Sequence, residues 1–113
     1  MDTAKLKTLE QVSDAMDEVE TARAVPGLST DDMRSLEKMS LALRDAERTI
    51  IKSSQEALVD GLKADAAGLK ALADKINTTT ADLERLKTVL NNTNQAIDGL
   101  VTVVSSATKA GLL

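Results

Sequence analysis

The sequence predicts an all-α protein, an elongated antiparallel helical hairpin or three-helix rod with coiled-coil-like packing. The main observation is a seven-residue repeat of apolar residues between Leu58 and Ala107. Because an α-helix returns to the same face about every 3.6 residues, such a repeat forms one stripe suited to packing against another helix. The principal seam is apolar throughout, at Leu62, Leu69, Ile76, Leu83, Leu90, Ile97 and Val104.

The composition supports the same fold class. The chain has 113 residues, with no Phe, Tyr or Trp, one Pro and five Gly. Aromatic side chains supply the largest burials in most globular cores, so their absence favours a thin seam between helices. The length suffices for one domain. We therefore expect residues 1–113 to form a single helical domain with helices at about 3–24, 30–76 and 80–109.

The first helix is predicted from Thr3 to Ala24. Lys, Glu and Asp fill the faces between its apolar positions. The helix should end at Val25-Pro26-Gly27, because proline disfavours helical geometry in the residue before it and glycine reverses the chain easily. The apolar positions recur at a spacing of three or four, at Leu6, Leu9, Val12, Met16 and Val19.

The second helix is predicted to begin at Ser29, with Asp32 three residues later resembling a capping box. An apolar stripe follows, and after Ile50 it shifts by one residue to Ile51 and joins the long repeat. We interpret the shift as a change of packing partner, so the helix continues to residue 76 and measures about 70 Å. A break at Asp60-Gly61 would instead give four helices, whose unequal lengths fit one compact bundle poorly.

The third helix is predicted to follow a turn at Asn77–Thr80. Asparagine tolerates left-handed geometry, and Thr79 or Thr80 can cap the helix that runs to about Lys109. Because the repeat continues through this turn, one unbroken helix from Ser29 to Lys109 is the alternative.

A second seam alternates leucine with polar residues at Asp65, Thr79 and Thr93. Polar seam residues can fix helix register and oligomer state. They can also lie in a turn or at a solvated margin, which is the interpretation that we favour.

Beside the seam, Gly61 and Gly68 either permit close approach of a neighbouring backbone or occupy an exposed flank, and the exposed flank is the simpler expectation.

The residue types argue against catalysis. With no His, Cys or Tyr, the chain lacks the commonest general base, the thiol nucleophile and the commonest nitrogen ligand of transition metals. We expect no catalytic, cofactor or metal residues, and no enzyme. Asp14, Asp17 and Glu18 crowd one face of the first helix, but a solvated acidic face is a better explanation than a weak cation site.

Charge and hydropathy limit the partners. The net charge is −4 and no basic cluster occurs, so nucleic acid is not expected. The uncharged run from Gly99 to Thr108 is too short to span a bilayer. The beginning of the sequence lacks the pattern of a signal peptide. We expect a cytoplasmic protein, or one exported without a cleaved signal.

The sequence therefore predicts a non-enzymatic structural or adaptor protein. It should form a homo-oligomer, with another helical protein as a possible partner, through coiled-coil-like helix faces. The alternative is a membrane-active helical protein, a pore-forming or translocator-type component, because the segment Leu100–Val104 is apolar on several faces; membrane contact is not favoured. The predicted interaction residues are Leu58, Leu62, Leu69, Leu72, Leu86, Leu90, Ile97, Leu100, Val101 and Val104.

Overall fold

The computed structural model describes residues 2–52, 55–76 and 80–109, and within them the side chains of residues 3–52, 58–76 and 80–106. These residues form four α-helices and no strand, so the predicted all-α class is confirmed. The helices are, in chain order, α1 (Asp2–Arg23), α2 (Thr30–Lys52), α3 (Gln55–Lys75) and α4 (Ala81–Lys109).

The prediction of one helix over residues 30–76 is wrong. In the described residues this stretch is two helices, α2 and α3, packed against each other. Thr49 of α2 lies beside Gly61 of α3. Four residues before Thr49, Asp45 lies beside Asp65, which is four residues after Gly61. The two helices therefore run in opposite directions. The shift of the apolar stripe near Ile50 marks the end of a helix rather than a change of partner.

The four helices form a bundle instead of a three-helix rod. Each helix packs against its neighbours in the chain, and α1 also packs against α4, while the described residues give no close approach between α1 and α3 or between α2 and α4. The molecule measures 51 × 20 × 19 Å. The helices contain 22, 23, 21 and 29 residues. Similar lengths allow all four apolar stripes to meet around one core, which a break at Asp60-Gly61 would not have allowed.

The core consists of aliphatic side chains and alanines. All seven positions of the principal seam are buried, as the repeat predicts: Leu62, Leu69, Ile76, Leu83, Leu90, Ile97 and Val104. The predicted stripe of α2 is also buried, at Leu36, Met39, Leu43, Ala46 and Ile50. In α1 the buried positions are mostly small, and the predicted stripe is only partly correct: Leu6 is exposed, and the core positions are Thr8, Val12, Ala15, Val19 and Ala22.

The connection between α1 and α2 follows the predicted turn. Gly27 has a φ of 80°, the left-handed geometry that glycine adopts at little cost. The Oγ of Ser29 accepts a hydrogen bond from the backbone N–H of Asp32 at 3.1 Å, so Ser29 caps α2 as predicted. Because this connection is short, α1 and α2 run in opposite directions.

The start of α4 is also capped as predicted. The Oγ1 of Thr80 accepts a hydrogen bond from the backbone N–H of Leu83 at 3.3 Å, and Asp82 and Glu84 lie in the first turn, where the helix dipole favours acids. Residues 77–79 of the predicted turn lie outside the described residues. Because α3 and α4 pack against each other, the alternative of one unbroken helix from Ser29 to Lys109 is wrong.

Candidate functional site

The residues predicted to mediate interactions lie inside the molecule. Nine of the ten are buried in the core of one chain, and Leu72 is partly buried against that core. The structure therefore brings them together within a single bundle, where they hold the protein's own helices in contact. The nine buried residues are Leu58, Leu62, Leu69, Leu86, Leu90, Ile97, Leu100, Val101 and Val104.

Large apolar side chains on the outer surface are the first candidate for contacts with other molecules. Leu6 is 62% exposed, Leu41 66%, Ile51 61% and Val103 42%. The sequence analysis placed Leu6 and Ile51 in buried stripes and did not identify Leu41. Its position, two residues from both Met39 and Leu43, is out of phase with the core stripe of α2, which is the signal that predicts exposure.

A pair of carboxyl groups lies between α2 and α3. Burial, the negative charge of Asp45 and a hydrogen bond to the Asp45 side chain together raise the pKa of Asp65 from 3.8 to about 7. The Oδ2 atom of Asp65 is buried and receives no hydrogen bond from the donors of the described residues. Two ionised carboxylates have no proton to share, so this contact becomes a hydrogen bond only when one of them is protonated.

Two threonines occupy the interface between α1 and α4. The Oγ1 of Thr8 lies 2.8 Å from the carbonyl oxygen of Ala4 in its own helix and 3.4 Å from that of Ala96 in α4. Thr93 mirrors this arrangement, at 2.8 Å from the carbonyl oxygen of Val89 and 3.4 Å from that of Gln11. Both are buried. The expectation that Thr93 lies at a solvated margin is therefore wrong, and its hydroxyl is satisfied by backbone carbonyls instead of water.

The two glycines beside the seam differ. A Cβ atom at Gly61 would lie 3.2 Å from Cγ2 of Thr49, so Gly61 allows close approach of a side chain on α2. A Cβ atom at Gly68 would have no heavy atom within 4 Å, as expected for an exposed flank. One glycine therefore contributes to helix packing and the other does not.

One acidic residue of α1 pairs with an arginine of α4. Glu18 accepts a hydrogen bond from Nε of Arg85 at 3.2 Å, and the same arginine donates to Asp82 at 2.9 Å, which links α1 to α4. Within the described residues, no group of three His, Cys, Asp or Glu is placed to hold a metal ion.

The grooves described along the bundle are open to solvent, with volumes of about 220 to 510 Å³. One between α3 and α4 has a volume of about 220 Å³ and is lined in part by Asn94, whose Oδ1 atom is buried and has no hydrogen-bond partner among the described residues. Ligand sites usually measure about 300–1,000 Å³ and enclose most of the ligand. The lining residues are Lys63, Ala66, Ala67, Lys70, Asn94 and Asp98.

None of the described helices combines the length and the apolar character needed to cross a membrane. Comparison of the chain with models of protein families, with curated proteins and with solved structures finds no match. The exposed apolar side chains and the charged groups described above are therefore the features that bear on function.

Proposed function

We propose that this protein is a non-enzymatic structural or adaptor module that self-associates through its helix faces. The observation that supports the proposal is the exposure of Leu6, Leu41 and Ile51 on α1 and α2. Most of the surface of these side chains stays in water in the single bundle, and burying them against a partner would remove that apolar surface from water. Because the seam residues of the core are used within the chain, the proposed association uses the outer faces.

The packing supports a role in helix–helix recognition. Buried residues recur at a spacing of three and four along each helix, for example Leu83, Leu86, Leu90, Thr93 and Ile97 in α4, and we propose that the helices pack in the coiled-coil manner. Regular packing of this kind also leaves rows of exposed side chains on the outer faces, and another helical protein, either a second copy or a different chain, could contact them. The lack of His and Cys and the absence of an enclosed groove among those described favour binding over catalysis.

Light scattering over a range of micromolar concentrations tests the proposal. The chain mass is 12.0 kDa. We expect the average mass in solution to increase with concentration and to approach a defined multiple of this value. Circular dichroism on the same samples should show a helical protein throughout. A helical protein that keeps the mass of one chain at every concentration would contradict self-association.

The membrane-active alternative is favoured by one observation, the exposure of Val103 beside the buried Leu100, Val101 and Val104 near the end of α4. Because three of these four are buried, α4 would have to leave the bundle to place them in a membrane. Release of a dye from lipid vesicles tests this alternative, with a variant whose α4 is joined to α1 by a disulfide as the control. Release by the free protein and not by the disulfide-joined variant would support it.

A further inference from the structure

The outer faces of α1 and α2 carry opposite charges. On α1, three acids, Glu10, Asp14 and Asp17, are exposed and lie along one side of the helix at spacings of four and three, beside one exposed base, Lys7. On α2 the exposed side chains after residue 33 include five bases and two acids, Glu37 and Asp45. We call the first set the acidic face of α1. The second, the basic face of α2, consists of Arg34, Lys38, Arg44, Arg48 and Lys52.

Among the described side chains, these charges have no ion-pair partner. The ion pairs among the described side chains join Arg23 to Glu20, and Arg85 to Glu18 and Asp82. None involves a residue of the acidic face of α1 or of the basic face of α2. Both faces therefore present unpaired charges to a partner, although the net charge of the chain is only −4.

Exposed apolar residues accompany each charged face. Leu6 precedes Glu10 by four residues and lies on the same side of α1. On α2, Leu41 follows Lys38 by three residues, and Ile51 lies next to Lys52 near the end of the helix. Because α1 and α2 run in opposite directions, Leu6 near the start of one and Ile51 near the end of the other lie at the same end of the bundle.

We propose that the partner of this surface is a second copy of the chain, related by a twofold axis parallel to the helices; the proposal rests on the self-association proposed above. Rotation about such an axis places α1 of each copy against α2 of the other. The dimer then contains two equivalent contacts, each between the acidic face of one copy and the basic face of the other. The same rotation keeps the ends of the two bundles level. Leu6 of one copy then approaches Ile51 of the other.

The two kinds of side chain have different roles in this dimer. Ion pairs between exposed groups contribute little to affinity, because water and salt screen them and the side chains lose freedom. Their pattern fixes the orientation, since a copy turned the other way would oppose like charges. The leucines and the isoleucine supply the apolar surface that leaves water. The association should therefore be weak and should weaken further as salt concentration increases.

Charge-reversal variants test the arrangement. The first carries Asp14→Lys and Asp17→Lys, which makes both faces basic. The second carries Lys38→Glu and Arg48→Glu, which together with the exposed Glu37 and Asp45 leaves four acids and three bases on the outer side of α2. By light scattering we expect the dissociation constant of each variant alone to increase by at least about tenfold, which corresponds to 1.4 kcal/mol. An equimolar mixture of the two should associate, and a chain with all four substitutions should associate as the wild type does.

A matched control reverses two exposed acids on α3, Asp60→Lys and Asp74→Lys, and should leave association unchanged. Circular dichroism checks that every variant keeps its helices. If the two charge-reversed variants associate as tightly as the wild type, the surface proposed here is wrong, while self-association stands. A monomeric wild type removes both proposals. A monomeric wild type that binds anionic vesicles through the basic face of α2 overturns the proposal in favour of a membrane partner.

Discussion

The carboxyl of Asp65 makes the stability of this bundle depend on pH. In the unfolded chain the group ionises near its ordinary pKa of 3.8, whereas in the folded protein its pKa is about 7. The folded state therefore binds more protons between these values, and stability decreases as pH increases across that window. Below it both states are protonated, and above it both are ionised, so the contribution of this site becomes constant.

We expect Asp65→Asn to remove this pH dependence. The amide cannot ionise, so the free energy of unfolding should change less between pH 4 and pH 7 and should exceed that of the wild type above pH 7. Urea unfolding at several pH values measures both effects. Asp74→Asn, an exposed acid on the same helix, is the control and should retain the dependence of the wild type. A wild-type stability that increases from pH 4 to pH 7, with Asp65→Asn showing the same increase, would contradict this account.

At the scale of one helix, the repeat in α4 predicts a large effect for a single leucine. Leu86 is fully buried, so Leu86→Ala removes apolar contacts and leaves a cavity, at a cost of about 2–5 kcal/mol. Leu41→Ala makes the same chemical change at an exposed position and should alter stability by no more than about 0.5 kcal/mol. Thermal or urea unfolding of both variants measures the difference. Equal effects would mean that Leu86 does not face a core.

At the scale of a helix pair, the separation of α2 from α3 can be tested by a disulfide. The Cβ position of Gly61 lies 4.0 Å from Cβ of Thr49, within the range of native disulfides. We expect Thr49→Cys with Gly61→Cys to crosslink within one chain, because on one continuous helix these residues would lie about 18 Å apart. The pair Thr49→Cys with Gly68→Cys is the control and should stay reduced. Crosslinks found only between chains would support a continuous helix.

The helix ends that the sequence predicts correctly are those with a local chemical signal. Pro26-Gly27, Ser29 and Thr80 stop or start a helix through backbone geometry and capping, and each behaves as expected. Neither Gly nor Pro lies between Lys52 and Gln55, but Ser53 and Glu56 have the spacing of a capping box, a start signal that the prediction of one long helix did not use. The change of phase at Ile50 was the second sign, and by itself a one-residue shift fits both a new partner and a new helix.

The contact between Asp65 and Asp45 also could not be predicted from local sequence signals. Asp65 is visible in the sequence as an acid in an apolar seam, but its partner is not, because Asp45 reaches it only when α3 folds back along α2. Likewise, the spacing of the buried residues identified them as buried, but it did not show whether they pack within one chain or between chains. The same stripe predicts a seam within one chain or a seam between chains, and only the number of helices decides between them.

The dimensions of the whole molecule separate the bundle from the predicted rod. The Cα radius of gyration is 14.6 Å, close to the value of about 13 Å expected for a compact chain of this length. A rod with a helix about 70 Å long would be clearly more extended. Small-angle scattering on dilute protein in high salt, where the proposed dimer dissociates, should therefore give a radius of gyration near that of the bundle. A radius of gyration about 1.5 times that of the bundle would indicate the extended form.

The closure of the bundle by α1 and α4 also determines how it can be joined to other chains. Thr8 lies beside Ala96, so Asp2 and Lys109 are at the same end of two adjacent antiparallel helices. A host protein could therefore carry the bundle within a surface loop through two neighbouring attachment points, leaving the core intact. A short linker across that end, with the chain reopened at Pro26-Gly27, should equally give a circular permutant that keeps all four helices.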